Sequence, residues 1–356
     1  MTTASGGWAV PLHHVVLRLA GWAPDEMICT VRDWLADDRV ADVAQAVLYA
    51  ALANRIPVTR DDATVLTGAL ADAGVEADAH ALLDLVACPQ LPHYTMSPEH
   101  PARRGDHDGG FRHSLDLTGL PGEHDEVDRA ANEAAARIAG FRGLWRAWRS
   151  PAFLTPWPSP RRVYLLQVDR EDEGALPSYA ARLQHTLLRV GDKYPQVEVF
   201  VEAGALPPYQ RLGLGWSALL ATSDPTPPIQ LAGLFDVVDD AGEPGFSGDR
   251  PTLDDGERDR VLGFLDAGAL LLPTTTLMDD VLDDVGHAVV PMGFRTDGVW
   301  VWPEATAYFL RRHHIAPDDD LLDHVRRQRY QAAPAGAVAL HRAMAALEAE
   351  YGEADE

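Results

Sequence analysis

With 356 residues and an ordinary 46% apolar content, the chain is long enough for two or three domains with buried cores. Its 54 acids against 30 bases give a net charge of −24, which opposes binding to nucleic acid or to an anionic membrane and favours a basic partner, although such acidity also serves solubility. Two cysteines, Cys29 and Cys88, are too few for a disulfide framework or a thiolate metal site.

The opening MTTASGGWAVPLHH has neither a basic n-region nor an apolar run, and no segment approaches the roughly 18 apolar residues that span a bilayer. A cytoplasmic protein is expected. Residues 1–88 read as a small helical domain. Met27, Val31, Trp34 and Leu35 line one helical face, and Val40, Val43, Val47, Ala51 and Leu52 line the next. Thr59 with Asp62 resembles a capping box, Val65, Leu66 and Leu70 continue that helix to a stop at Gly74, and a last short helix spans Leu82–Val86.

Residues 89–125 lose the helical period and read as a loop or linker. It holds His93, His100, His107, His113 and His124, with Asp106 and Asp108 beside His107. Imidazole and carboxylate could hold a divalent ion, but the spacings match no metal-site signature. From 126 to 150 the apolar spacing of Val127, Ala131, Ala134, Ile138, Phe141, Trp145 and Trp148 predicts one long amphipathic helix. Its arginines, Arg137, Arg142, Arg146 and Arg149, form with Arg161-Arg162 the clearest basic patch. They either complement a helix C-terminus and pair with acids, or form a site for a phosphate or acidic peptide.

Four prolines in 151–160 predict a domain boundary there. Beyond it, 161–356 reads as an α/β domain with C-terminal helices, making the chain α+β overall. Strand Val163–Val168, helix Tyr179–Val190 and strand Val197–Val201 imply a right-handed crossover and a parallel pair. Further helices are expected at Tyr209–Leu220, Asp254–Leu265 and Thr276–Val285, with a bent or paired strand at Ile229–Val238. No glycine-rich phosphate loop, P-loop lysine or G-x-S-x-G elbow is present, so no cofactor is implied.

Val289–Phe294 and Val299–Trp302 predict a hairpin around Arg295-Thr296-Asp297-Gly298, whose Asp-Gly pair supplies positive φ. Trp300 and Trp302 share one face, and Pro303 fits the first turn of the next helix. Arg295, Thr296 and Asp297, at an exposed tip, are candidates for recognition, joined by Trp300, Arg142, Arg146 and Arg149. The string Gly293–Gly298 with Trp300, Trp302-Pro303 and Tyr308 resembles a block in uncharacterised acidic actinobacterial proteins. Some of those are associated with polymorphic toxin and immunity modules.

Asp279, Asp280 and Asp283, and again Asp319, Asp320 and Asp323, fit D-D-x-x-D, which on a helix places the outer acids on one face for Mg²⁺. The runs resemble the aspartate-rich motifs of isoprenoid synthases. They depart from that pattern in their close separation and in the hairpin between them, and helix-start acids explain them equally. The expected function is therefore a cytoplasmic acidic interaction protein binding another, basic protein, to which the resemblance adds an immunity or accessory role in a toxin system. The alternative is a Mg²⁺-dependent enzyme acting on a diphosphate.

Overall fold

The computed structural model describes every residue except 1–6, 77–81, 83, 87–90, 104–111, 153–158, 226–227, 239–241, 243, 284–285 and 353–356. The fold is α+β, in two compact units, Met1–Asp224 and Pro225–Glu356. The division falls after the parallel strand pair, and not at 151–160 as the prolines suggested.

Helices α1 (Ala9–Leu19), α2 (Asp25–Ala36), α3 (Val40–Asn54) and α4 (Arg60–Asp72) open the first unit. The expected capping box starts α4: the Thr59 side chain accepts the Asp62 N–H, and the Asp62 carboxylate accepts the Thr59 N–H at 2.9 Å. Past its end Gly74 takes φ +72°, and the Val75 N–H returns to the Leu70 carbonyl. The sequence hides α1, because Pro11 and the His13-His14 pair break its apolar run. Proline is tolerated in a first turn, and Leu12, Val15, Val16 and Leu19 pack with Ile28, Val47 and Leu66 in one core. The short helix expected at Leu82–Val86 lies partly outside the described residues, and within them Val86 bridges to Val58.

The rest of the unit is built from β1 (Tyr94–Ser97), β2 (Ser114–Asp116), α5 (Glu126–Ala135), β3 (Phe141–Pro151), β4 (Arg161–Val168), α6 (Leu176–Arg189), β5 (Gln196–Phe200), α7 (Pro208–Gly215) and β6 (Ser217–Thr222). The sheet runs β2-β6-β3-β4-β5, with β1 also on β3. As expected, β4 and β5 are parallel and joined through α6. The supposed linker 89–125 supplies two strands. The supposed long helix is α5 followed by β3, the chain turning at Gly140, which takes φ +63°. Residues Leu144–Ala147 of β3 are buried without alternation, so its apolar residues imitate a helical period. The proline-rich stretch joins β3 to its antiparallel neighbour β4, pairing Arg149 with Arg161. The helix expected at Tyr209–Leu220 stops at Gly215, and its last residues, Ser217–Leu220, belong to strand β6.

Strand β5 ends the sheet, yet all five of its residues are buried. The helical layer covers its free edge, where His13 Nε2 donates to the Val199 carbonyl at 2.8 Å and Cys29 Sγ reaches the Pro195 carbonyl at 3.2 Å. Polar groups continue this seam. Arg32 Nη2 lies 2.8 Å from Glu198 Oε2, Gln210 donates to that oxygen at 2.9 Å, and Gln184 donates to the Cys29 carbonyl at 3.0 Å.

Burial, with His14 and Arg32 adding to it, lowers the His13 pKa from 6.5 to about 3, against the opposing hydrogen bond to the Val199 carbonyl. Below pH 6.5 the unfolded chain therefore takes up a proton that the folded chain refuses, and stability falls with pH. Between pH 6.5 and 5.5 His13 should cost about 1 kcal/mol, a difference that urea titrations of wild type and His13→Gln at the two pH values would resolve. An identical pH dependence in the variant would disprove it.

In the second unit β7 (Gln230–Leu231), β8 (Val237–Val238), β9 (Pro244–Gly245), α8 (Asp255–Ala267), β10 (Ala269–Leu272), β11 (Leu277–Met278), β12 (Val290–Pro291), β13 (Phe294–Thr296), β14 (Trp300–Pro303), α9 (Glu304–His313), α10 (Asp319–Arg327) and α11 (Ala337–Gly352) follow in order. A sheet β10-β13-β14-β7 carries helices on both faces. Alternation along β14 sorts them: Trp300 and Trp302 enter a core with Phe264, Leu310 and Leu322, while Val301 meets Ala343 and Leu347 of α11. No described helix is long and apolar enough to cross a membrane.

Candidate functional site

The hairpin tip is where the structure departs most from the expected site. Arg295 and Thr296 belong to β13, and the turn is Asp297-Gly298-Val299, in which Gly298 alone takes positive φ, +90°. Thr296 and Asp297 are buried. Thr296 Oγ1 donates to the Trp300 carbonyl at 2.7 Å and accepts the Gly298 N–H at 2.9 Å. Asp297 Oδ1 accepts the Val299 and Trp300 N–H groups, and its Oδ2 meets His324 Nε2 at 2.6 Å. His324 in turn lies against Trp300 and Phe264. Thr296 and Asp297 thus brace the core and do not form an exposed recognition tip.

Arg295 has the same role. Its Nε lies 2.9 Å from Glu304 Oε1, and its Nη1 donates to the Gly268 and Asp266 carbonyls at 2.9 and 3.1 Å. We expect Arg295→Ala to cost about 1–2 kcal/mol in chemical denaturation, since it leaves a half-buried carboxylate and two carbonyls unpaired. A loss within the roughly 0.5 kcal/mol usual for surface changes would return the arginine to the role of a free contact.

The arginines of the patch are paired with acids, Arg142 at the surface and Arg146 and Arg149 in the interior. Arg142 meets Asp169 at 2.5 Å. Arg149 meets Asp25 at 2.6 Å and Tyr209 Oη at 3.2 Å, and lies over the Tyr94 ring. Arg146 reaches Asp128, whose other oxygen accepts the Tyr164 hydroxyl at 2.7 Å. Burial, then Asp128, holds that hydroxyl far above the usual tyrosine range.

Strand pairing nevertheless brings two of these arginines to one place. Because Arg146 and Trp148 point to the same side of β3, and Trp148 is the register partner of Arg162, all three line a cleft of about 350 Å³. Arg162 stacks 4.6 Å from the centre of the Trp148 ring, and His100 meets that ring edge-on. His124 and Asp125, which precede α5, close the far side. Asp125, the N-cap of α5, accepts the Val127 and Asp128 N–H groups and pairs with Arg162. His124 Nδ1 lies 3.0 Å from the Asn132 amide nitrogen, while His124 Nε2 and Arg146 Nε are enclosed without a hydrogen-bond partner.

The described lining offers no hydroxyl, thiol or amine nucleophile, and its titratable groups besides the two arginines are His100, His124, Glu99, Glu123 and Asp125. Cys29 is no nucleophile elsewhere, because burial pushes its thiol up to about 12. His107 lies outside the described residues, as does Cys88. A second cleft, about 400 Å³, lies between α4 and the connection after β5, and its Arg18 is held by Asp62.

Residues 276–285 contain no described helix, so Asp279, Asp280 and Asp283 do not share a helical face. Asp280 accepts Tyr308 Oη at 2.9 Å and meets His313 Nε2 at 2.6 Å, Asp279 accepts the Ala288 N–H, and Asp283 faces Arg312. Asp319 and Asp320 occupy the first turn of α10 behind its cap Asp318, with Asp323 a turn later beside Arg326, as dipole-favoured acids would. Among the described residues no three histidines, cysteines or acids gather as metal ligands. No protein-family model, curated protein or solved structure matches the chain.

Proposed function

We propose that the chain is a protein-binding protein whose second unit presents an acidic, apolar-edged surface to a basic partner. The observation that carries this is the edge strand β10, Ala-Leu-Leu-Leu without a charge, which exposes Leu270 by 48% and Leu272 by 38%. Pro273 directly after β10 and the irregular register between Leu270 and Leu272 limit pairing along this edge, but two exposed leucines with no charge between them still suit an apolar contact with another chain. Exposed Met292 follows the neighbouring β12, and exposed Leu277 pairs with Pro291 of that strand. Asp279, next to this strip, is largely exposed, and with a net charge of −24 the surrounding field selects a cationic segment. Pairing with β10 would add such a segment as a further strand. The likeness of the Gly293–Tyr308 block to proteins of toxin modules suggests an immunity or accessory role as the setting.

The test is fluorescence anisotropy with an alternating lysine-valine peptide and its glutamate-valine counterpart. The basic peptide alone should bind, weakening as salt rises, and Leu272→Lys should abolish the binding while leaving the melting temperature in place. Equal binding of both peptides, or no effect of Leu272→Lys, overturns the reading.

A further inference from the structure

We infer that Val281 and Leu282, in the loop between β11 and β12, are anchor residues for the same basic partner, and that Asp280 is the positioning residue that turns them outward. The inference rests on the interface proposed above and extends it beyond the β10 edge. The ladder of β10 on β13 and that of β11 on β12 run in the same antiparallel sense along one ribbon, Leu272 facing Phe294 and Leu277 facing Pro291. The loop therefore closes the ribbon that β10 begins.

The ordinary sorting of side chains is reversed in this loop. Carboxylates belong in water and large apolar groups inside, because desolvating a charge is costly and burying a leucine is favourable. Here the Asp280 carboxylate has no exposed surface, whereas Val281 and Leu282 are 43% and 47% exposed. The partners of Asp280 give the cause. Its carboxylate accepts the Tyr308 hydroxyl at 2.9 Å and the Leu282 N–H at 2.9 Å, and meets His313 Nε2 at 2.6 Å, so it is drawn against α9 and the next two residues stay on the outside of the turn. The backbone is held as well, the Asp280 N–H donating to the Gly286 carbonyl at 2.8 Å and the Ala288 N–H to Asp279 Oδ1 at 2.7 Å. An apolar pair that hydrogen bonds hold in water is built for contact, since only a covering chain recovers the cost of exposing it.

Charge selects the cover. Asp279, just before the pair, is largely exposed, and the net charge of −24 repels a second copy of this chain. A cationic segment with apolar side chains between its basic ones would cover Val281 and Leu282 and meet Asp279.

Anisotropy titrations with the lysine-valine peptide test the inference on two variants. Val281→Ser/Leu282→Ser alters exposed side chains alone, and should weaken the peptide about tenfold with the melting temperature unchanged. Asp280→Asn should weaken it as well, at a temperature where circular dichroism shows the variant folded. A purely structural Asp280 would lower the melting temperature and leave that affinity in place, which overturns the positioning role. Parental affinity in the serine variant, where Leu272→Lys abolishes binding, overturns the anchor role and leaves the β10 edge standing, whereas a parent chain that binds no peptide overturns both. A dimer of the parent chain in sedimentation that the serine variant splits would assign the surface to a second copy, and also overturns it.

Discussion

Replacing Glu198 by alanine should destabilise the first unit by about 3–5 kcal/mol, because it leaves the Arg32 guanidinium buried without a counter-charge. The pair is as enclosed as any in the protein: Arg32 is 1% exposed, Glu198 not at all, and their contact is 2.8 Å. None of the three Arg32 guanidinium nitrogens makes a hydrogen bond, so the ion pair with Glu198 is the principal interaction offsetting the desolvation of that charge. Gln210 would also lose its acceptor. The double change Arg32→Met/Glu198→Leu removes both charges and should be close to neutral, since the Coulombic gain of such a pair barely exceeds its desolvation cost. Urea titrations of the three variants separate the cases. A loss below about 1 kcal/mol in Glu198→Ala would mean that water reaches the seam and that it is not the closed joint described above.

That seam also shows where the sequence could and could not be read. Patterns confined to a few neighbouring residues were legible: the Thr59 capping box, the β4-α6-β5 crossover, the acids opening α10, and the sharing of one face by Trp300 and Trp302. What failed depended on partners distant in the chain. Helix α5 and strand β3 merged into one apparent helix, because β3 is buried on both faces and its Phe141, Trp145 and Trp148 happen to fall three or four apart. The double glycine around Phe141 was the signal that could have divided them. With β3 misassigned, the prolines of 151–160 passed for a domain boundary, and the pairing of Trp148 with Arg162 could not be foreseen. His100, His124, Arg146 and Arg162 each stand out in the sequence, yet only the β3-β4 register and the position of α5 make them one cleft. The hairpin tip failed for a related reason. A polar Arg-Thr-Asp run is an exposed turn by default, and its burial depends on α10 supplying His324 and on α8 supplying carbonyls to Arg295.

In the second unit Trp302→Ala should cost about 3–5 kcal/mol, and its sharpest test is its coupling to Gly268. The indole is fully buried against Phe264, with ring centroids 5.6 Å apart, and its Nε1 donates to the Leu265 carbonyl at 3.3 Å. Gly268 has φ −56° and ψ 142°, angles open to any residue, so backbone conformation gives no reason for a glycine there. The reason is the indole, since a Cβ at 268 would lie 2.3 Å from Trp302 Cζ2. Gly268→Ala alone should therefore cost about 1–3 kcal/mol by overpacking. In the Trp302→Ala background that clash is gone, and the second substitution should be nearly free, leaving a coupling energy of about 1–3 kcal/mol in a double-mutant cycle read by thermal or urea unfolding. Additive losses would show that the indole does not rest on the Gly268 backbone, and the packing that fixes β14 against α8 would need another account.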